Sequence, residues 1–181
     1  MKTIYYLFLS LRPKGWVKNL FVFIPLVVAG LFNLEFFFKT VEAFFLFSLS
    51  SGAVYLLNDV LDKEKDREHP EKSKRPIASG KLNTSLALFV SLILIVFTLW
   101  FGLQINLKFA TFLALYIVLN IVYSLWLEEV RFINSICAGL GYVLRVHAGG
   151  AAINLTLNIW YFIFSFLFGL AHSFYKKKKD S

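Results

Sequence analysis

The sequence has few of the residues on which soluble and disulfide-stabilised proteins depend. Only 17% of its 181 residues are charged, whereas about 25% is usual for a soluble domain. The single cysteine, Cys137, excludes an intramolecular disulfide bond. The sequence contains no internal repeat and no low-complexity linker. Because only one long polar segment separates its apolar runs, we expect residues 1–181 to form a single domain.

Apolar residues dominate the composition instead. Hydrophobic side chains make up 58% of the chain and aromatic ones 18%, above the roughly 45–50% apolar content of ordinary soluble domains. A helix needs about 20 mostly apolar residues to cross a bilayer, and it satisfies its backbone hydrogen bonds internally, as lipid requires. The sequence therefore predicts an all-α integral membrane domain, a polytopic transmembrane helical bundle. Six spans are expected, at roughly 16–33, 41–57, 84–103, 108–127, 132–153 and 157–175.

The formal net charge of +8 is distributed unevenly between the ends of the predicted spans. Lysine and arginine concentrate in the cytoplasmic loops of membrane proteins. With the N-terminus inside, sixteen cations lie on the cytoplasmic side, Lys39 and Lys108 lie on the other side, and Arg145 falls within a span. This asymmetry predicts a multi-pass protein of the cell membrane with both termini in the cytoplasm. It also accounts for the basic balance without nucleic acid, and no nucleic-acid partner is expected.

The two ends of the chain carry features typical of a membrane interface. Aromatic and cationic residues mix over residues 4–19, which predicts a short interfacial helix before the first span. Arg12, Lys14 and Lys18 interrupt the apolar N-terminal stretch and no small-residue cleavage site follows, so a removable signal peptide is not expected. The run Lys176 to Lys179 is interpreted as a topology anchor.

The one long polar segment, residues 58–83, contains six of the eleven carboxylates. Asn58, Asp62 and Asp66 are four residues apart and share one face if the second span continues as a helix. Carboxylates at this spacing repel each other by a few tenths of a kcal/mol, which favours a bound cation. Hard oxygen ligands favour Mg²⁺ that bridges to phosphate oxygens. The alternative is a solvated helix end whose acids pair with Lys63, Lys65 and Arg67.

A cationic loop follows these acids directly. Pro70 and Pro76 end the helix and stiffen the loop between them. Lys72, Lys74 and Arg75 lie within it, and both residue types bind phosphate oxygens well. Metal-binding acids next to such cations are typical of a diphosphate site, and this site lies on the predicted cytoplasmic face. Ser79-Gly80 then predicts a turn before the third span.

These residues resemble the first aspartate-rich motif of the UbiA-type membrane prenyltransferase superfamily. The similar pattern is Asn58-Asp59-x-x-Asp62-x-x-x-Asp66, then Arg67, His69-Pro70, Lys72 and Arg75-Pro76-Ile77-Ala78-Ser79-Gly80. Two more stretches resemble its polyprenyl-phosphate (decaprenyl-phosphate) phosphoribosyltransferase branch. They are Arg12-Pro13-x-x-Trp16-Val17-Lys18-Asn19 with Pro25-Leu26, and Gly141-Tyr142-Val143-Leu144-Arg145 with Ala148-Gly149-Gly150.

The resemblance implies transfer of 5-phosphoribose from phosphoribosyl diphosphate to a polyprenyl phosphate, with Mg²⁺ as cofactor and diphosphate as the leaving group. Asn58, Asp62 and Asp66 are then the expected metal ligands, and Asp59, Asp62 and Asp66 the expected catalytic residues. The expected substrate-binding residues are Lys18, Arg67, Lys72, Lys74, Arg75, Tyr123, Asn134 and Arg145.

The sequence departs from the family pattern in two respects. The resemblance implies a Tyr, a Lys and an Asp in a second motif, where this chain has Tyr123, Glu128 and Asn134. It also implies about nine spans, so this chain corresponds to roughly the N-terminal two thirds of the fold. An early stop, a split gene or a partner chain would each explain the difference, and in the last case a partner chain or a homo-oligomer completes the bundle.

Alternatives remain at several residues and for the function. Arg145 lies within a span, where charge is costly and usually functional, but it is expected to bind either a phosphate or an aspartate. Lys18 is either a phosphate contact or an interfacial anchor, and His69 and His147 are expected to serve packing or bracing. The rival functions are prenyl transfer from a prenyl diphosphate to an aromatic acceptor and an inactive protein that binds a lipid phosphate. A channel or transporter is the weakest alternative, because the charges cluster at one face.

Overall fold

The computed structural model describes residues 2–127 and 131–180, with side chains described for residues 2–125 and 133–175. Every regular element in this described part is helical, as the sequence predicted. Glu128 and the side chains of Lys176 to Lys179 lie outside it. Within residues 2–127 and 131–180 the chain forms eight α-helices: α1 (Lys2–Ser10), α2 (Ile24–Val28), α3 (Leu34–Leu61), α4 (Lys63–Glu68), α5 (Thr84–Ile105), α6 (Leu107–Val122), α7 (Arg131–Ala152) and α8 (Ile159–Asp180).

The N-terminal segment begins with α1, where a helix was predicted, but the next element differs from the prediction. The continuous span expected at 16–33 is wrong, because Pro13–Phe23 forms a 3-10 helix and the short α2 ends at Val28. Pro25 supplies no backbone N–H, and Gly30 has a φ of 65°, a left-handed conformation that stops the helix. Asn19 in the 3-10 helix is fully buried and donates to the hydroxyls of Ser48 and Ser51 on α3.

Three of the six predicted spans form helices that are long and apolar enough to cross a membrane. They are Leu34–Leu61, Thr84–Ile105 and Leu107–Leu125, of 28, 22 and 19 residues. The other two predicted stretches also fold as helices, α7 and α8, but α7 contains Arg145 and many small residues, and the apolar part of α8, Ile159–Tyr175, is shorter. Asn33, Asn83 and Asn106 cap α3, α5 and α6, each by accepting a backbone N–H three residues later.

Small residues allow α7 to approach its neighbours closely. A Cβ atom added to Gly149 would lie 1.9 Å from the carbonyl oxygen of Val22 in the 3-10 helix. A Cβ atom on Gly169 of α8 would lie 2.7 Å from the Cα atom of Gly139. Such glycines are typical of membrane helices that pack backbone to backbone. Arg145 on α7 is thereby held close to the N-terminal segment.

Two apolar clusters form the buried core of the described bundle. The larger one joins Val22, Phe47, Phe109 and Leu113 with small residues of α7. The smaller one lies under the polar segment, where Leu56 packs with Ile77, Leu82 and Ala87. Ile77 is 0% exposed, so the loop between α4 and α5 is anchored on the bundle by its own side chains.

Candidate active site

The acidic cluster comprises Asn58, Asp59, Asp62 and Asp66 at the end of α3 and in α4. Asp59 and Asp66 are only 2% and 1% exposed. Arg75 from the following loop bridges them, with its Nη1 atom 3.2 Å from Asp59 Oδ1 and 2.6 Å from Asp66 Oδ2. Buried carboxylates need such charged partners. The structure therefore brings Asp59, Asp66 and Arg75 of the predicted site into direct contact.

Arg12 is a second cation on the same cluster, and the sequence did not single it out as a site residue. Its Nη2 atom donates to Asp59 Oδ1 at 2.5 Å, and its guanidinium carbon lies 4.9 Å from the centre of the Tyr55 ring. Arg12 has a φ of 52°, and this left-handed conformation costs energy in a residue other than glycine. The Arg12-Pro13 pair within the N-terminal motif was the available signal.

Asn58, Asp62 and Asp66 keep helical spacing although the chain turns at Asp62, between α3 and α4. The helix α3 ends at Leu61 and α4 begins at Lys63, so the uninterrupted helix expected through this segment is wrong. The hydrogen bonds nevertheless continue, because Asp62 N–H donates to the Asn58 carbonyl and Asp66 N–H to the Asp62 carbonyl, both at 2.8 Å. The three residues therefore occupy successive turns, as their spacing predicted.

Two oxygen atoms of the acidic cluster have no hydrogen-bond partner within the described structure. They are Asn58 Oδ1 and Asp66 Oδ1, and both are buried. Buried acceptors are normally satisfied, and unsatisfied amide and carboxylate oxygens are ligands that Mg²⁺ accepts. No three His, Cys, Asp or Glu side chains in the described ranges form a metal site by themselves. The unsatisfied oxygens of Asn58 and Asp66 are chemically suited to a magnesium ion, and the ligand set Asn58, Asp62 and Asp66 stays a prediction.

The other predicted cations of this region are Arg67 on α4 and Lys72 and Lys74 on the following loop. Arg67 binds both carboxylate oxygens of Glu64, at 3.0 and 2.8 Å, and its Nε atom donates to the Ala78 carbonyl. Lys72 and Lys74 lie on a 3-10 turn, Lys72–Lys74, with Lys74 exposed. His69 Nδ1 accepts the N–H groups of Glu71 and Lys72 at 3.2 and 3.3 Å. His69 therefore braces the loop, as expected.

A second polar feature, which we name the cationic cavity, lies between the 3-10 helix, α3, α6, α7 and α8 and has a volume of about 180 Å³. It brings together the four predicted substrate-binding residues Lys18, Tyr123, Asn134 and Arg145. Tyr123 begins a π-helical turn, Tyr123–Leu127, at the end of α6, a feature often found at functional sites. The sequence did not indicate four further lining residues: Tyr55, Tyr116, Asn120 and His172.

Arg145 is 5% exposed and occupies an aromatic cage beside the cationic cavity. Its Nε atom donates to Asn19 Oδ1 at 2.8 Å, Nη1 to the Gly141 carbonyl at 2.6 Å and Nη2 to the Tyr116 hydroxyl at 3.1 Å. The guanidinium carbon is 4.8 Å from the Tyr116 ring centre, a cation–π contact. The bond to an aspartate, one of the two expectations for Arg145, is not found among the described residues.

Tyr55 connects the acidic cluster with the cationic cavity. Its ring lines the cavity and also lies under the guanidinium of Arg12, which pairs with Asp59. Tyr55 and Asp59 are four residues apart on α3, so one helical turn of about 6 Å separates them. A group bound in the cavity and a group bound at the cluster would therefore be neighbours.

The family model that matches this chain is that of the UbiA prenyltransferase family, over residues 16–181. The chain belongs to this family. The family assignment and the three long apolar helices together make it a membrane protein.

Individual relatives agree with the family assignment. The chain is 35% identical to a decaprenyl-phosphate phosphoribosyltransferase from Corynebacterium glutamicum over 159 residues, 85% of this chain and 48% of the relative. The chain thus spans about half the length of the curated relatives that it matches.

Solved structures show the same UbiA fold. A digeranylgeranylglyceryl phosphate synthase superposes with a TM-score of 0.79 at 22% identity, over 94% of this chain and 59% of that one. A UbiA homologue from Archaeoglobus fulgidus, bound to DMAPP and Mg²⁺, superposes with a TM-score of 0.70 at 21% identity, over 88% and 58% of the two chains. The predicted resemblance to the UbiA superfamily is therefore confirmed, and this UbiA family member contains both polar features in one bundle.

Proposed function

We propose that this UbiA family member transfers 5-phosphoribose from phosphoribosyl diphosphate to a polyprenyl phosphate. The observation that carries the proposal is the adjacency of the acidic cluster and the cationic cavity, one helical turn apart on α3. A reaction between two phosphorylated substrates needs two such sites. The name of the 35% identical relative, a decaprenyl-phosphate phosphoribosyltransferase, supports this choice of substrates.

The acidic cluster is the proposed donor site. Asn58, Asp62 and Asp66 would hold Mg²⁺, and the unsatisfied oxygens of Asn58 and Asp66 support this assignment. When bound, the ion supplies Lewis-acid stabilisation of the charge that develops on diphosphate. Arg75, which bridges Asp59 and Asp66, would bind the diphosphate oxygens. Lys72, Lys74 and Arg67 on the neighbouring loop and helix would bind the outer phosphates.

For this reaction the protein needs only to position the two substrates and to stabilise the charge that develops on the leaving group. An oxygen of the acceptor phosphate forms a bond to C1 of the ribose, while the bond between C1 and the diphosphate oxygen breaks and its electrons leave with diphosphate. The acceptor phosphate is already an anionic nucleophile, so no general base is needed. Asp59, fixed between Arg12 and Arg75, would act as a helper that positions Arg75.

The location of the protein follows from the same proposal. The acidic cluster and its cationic loop would face the cytoplasm, where water-soluble phosphoribosyl diphosphate is available, and the excess of cations on that side supports this orientation. A multi-pass arrangement in the cell membrane with both termini inside is consistent with it. We also propose a partner chain or a second copy in the bundle, as the resemblance to a larger bundle implies.

A second candidate is prenyl transfer from a prenyl diphosphate to an aromatic acceptor. The fold shared with a UbiA homologue that binds DMAPP and Mg²⁺ favours it, because a prenyl diphosphate and phosphoribosyl diphosphate present the same diphosphate to the acidic cluster. The cationic cavity argues against this candidate, since an uncharged aromatic acceptor would not balance the buried Arg145 and the half-buried Lys18 that line it.

The test uses membranes that contain the full chain, radiolabelled phosphoribosyl diphosphate and decaprenyl phosphate. We expect labelled lipid to form with Mg²⁺ and not in EDTA. Asp62→Asn should abolish the product, whereas Glu35→Gln, at the opposite end of α3 in an exposed pair with Lys39, should not. The absence of labelled lipid, with transfer from a prenyl diphosphate instead, would reverse the order of the two candidates. No transfer from either donor would contradict an enzymatic function and favour a lipid-phosphate-binding protein.

A further inference from the structure

We infer that the cationic cavity binds the phosphate monoester of the acceptor directly, without a metal ion, and that Asn134 makes this possible. This inference rests on the proposed function and deepens it. It assigns different chemistry to the two sites, since the donor is held with a metal ion and the acceptor by the protein's own cations.

The charge of the cavity lining supports direct binding of an anion. Lys18 and Arg145 both line the cavity, and no aspartate or glutamate is found among its described lining residues. A magnesium site requires anionic oxygen ligands, and the cavity offers only neutral ones, such as the amide of Asn134 and the hydroxyl of Tyr123. The lining therefore fits an anion and not a metal ion.

Arg145 is fixed in place before any ligand binds. Its three hydrogen bonds within the described structure go to an amide, a backbone carbonyl and a hydroxyl, and all three acceptors are neutral. Its charge is thus held by dipoles and aromatic faces without an opposing carboxylate among the described residues. A guanidinium has five N–H donors, so donors remain for phosphate oxygens. A phosphate monoester would supply the missing counter-charge for this buried cation.

Asn134 occupies the position on α7 where the family resemblance implies an aspartate. It lines the cavity together with Lys18 and Arg145. An aspartate at this place would offset one of the two cations and would offer a ligand to a metal ion. With asparagine the cavity keeps its full positive charge. Asn134 would therefore act as a specificity residue that selects a metal-free phosphate.

Calorimetric titration of the purified full chain in detergent with farnesyl phosphate measures this directly. We expect wild-type protein to bind the probe in EDTA, with an affinity that changes less than about twofold when Mg²⁺ is added. Asn134→Asp should weaken binding about tenfold in EDTA, because the new carboxylate repels the phosphate, and Mg²⁺ should restore much of it. Asn158→Asp, the same change on an apolar groove beyond the cavity, is the control and should bind like wild type.

Lys18→Gln provides an independent variant in case Asn134→Asp does not fold. It should weaken farnesyl phosphate binding about tenfold in EDTA, with no recovery on adding Mg²⁺. Wild-type binding that requires Mg²⁺, or variants that bind as wild type does, would overturn the inference. Equal competition by inorganic phosphate would also overturn it, since the site would then take free phosphate and not a lipid headgroup. Binding without transfer would contradict the proposed function alone, and transfer with a metal-dependent acceptor would contradict this inference alone.

Discussion

The acidic cluster and the cationic cavity bury charges of opposite sign within one bundle: carboxylates in the cluster and a guanidinium in the cavity. In the cluster, two buried carboxylates are balanced by Arg12 and Arg75, and the side-chain oxygens Asn58 Oδ1 and Asp66 Oδ1 have no hydrogen-bond partner among the described residues. In the cavity, a buried arginine is surrounded by neutral acceptors and aromatic rings. The cluster can therefore take up a further cation, whereas the cavity can take up an anion. A phosphorylated substrate bound with a metal ion would complement the cluster, and a second phosphorylated substrate without a metal ion would complement the cavity.

The two features also differ in how the chain builds them. The acidic cluster and its partner Arg75 all come from residues 58–75, a short stretch of sequence. The cavity is assembled from the 3-10 helix, α3, α6, α7 and α8, and Arg145 binds Asn19, which lies 126 positions away in the sequence. The cavity should thus be the more sensitive of the two to changes in helix packing, and the cluster the more sensitive to local changes of charge.

The largest expected effect comes from the buried acid that pairs with Arg75. Asp66→Ala removes the partner at 2.6 Å and leaves Arg75 with Asp59 alone. We expect transfer to fall more than about a hundredfold, since both a metal ligand and a buried ion pair are lost. Initial rates in membranes measure it, with Glu64→Gln on the same helix as the control, because Glu64 is exposed. Equal losses of transfer rate in Asp66→Ala and Glu64→Gln would contradict a special role for the buried acid.

The next largest effect concerns the packing that places Arg145. Gly149→Ala puts a methyl group 1.9 Å from the Val22 carbonyl oxygen, so α7 and the 3-10 helix must separate. Such overpacking costs about 1–3 kcal/mol and should loosen the bond between Arg145 and Asn19. A lower midpoint of thermal unfolding, together with weaker acceptor binding, is expected. Gly102→Ala, where the new contact of 3.4 Å is ordinary, should change neither, and a matching loss there would contradict the packing argument.

A smaller effect is expected at Arg12, the second cation on Asp59. Arg12→Gln removes one of the two cations on Asp59 while Arg75 remains. We expect transfer to fall about tenfold, chiefly in kcat, because Arg75 would be drawn towards Asp59 and away from the diphosphate. Steady-state kinetics with varied phosphoribosyl diphosphate separate kcat from KM. Lys14→Gln in the same segment is the control, and an unchanged kcat in Arg12→Gln would remove Arg12 from the site.

The smallest effect is expected far from both features. Lys39→Gln breaks an exposed pair with Glu35 at the start of α3, and exposed pairs of this kind contribute little to stability. Transfer rate and unfolding midpoint should stay within experimental error of wild type. A clear loss of transfer would mean that charge at the opposite end of the bundle matters, which the two-site account does not allow.

The sequence predicted the parts of the molecule that depend on local patterns. Apolar runs located α3, α5 and α6, and the four-residue spacing of Asn58, Asp62 and Asp66 placed them on successive turns. The charge of Arg145 within an apolar run marked it as a site residue, and the cavity that it lines also contains Lys18, Tyr123 and Asn134. In each case the signal is contained in the residue type and its near neighbours.

The parts that were missed depend on contacts between distant segments. The 3-10 helix replaced the expected first span, and its buried Asn19 bonds to Ser48, Ser51 and Arg145. The pairing of Arg12 with Asp59 joins residues 47 positions apart. Hydropathy and spacing carry no information about such pairs, so the shape of the cavity and the second cation of the cluster emerge only from the folded chain.

The most direct test of the two-site account is a crossed binding experiment on one preparation of the full chain. Binding of phosphoribosyl diphosphate with Mg²⁺ and of farnesyl phosphate in EDTA is measured for Asn58→Ala and Arg145→Gln, after thermal unfolding has shown that both variants are folded. We predict that Asn58→Ala weakens only the donor and Arg145→Gln only the farnesyl phosphate, each by about tenfold or more. Equal weakening of both ligands by each variant would contradict the division of the site into an acidic cluster and a cationic cavity.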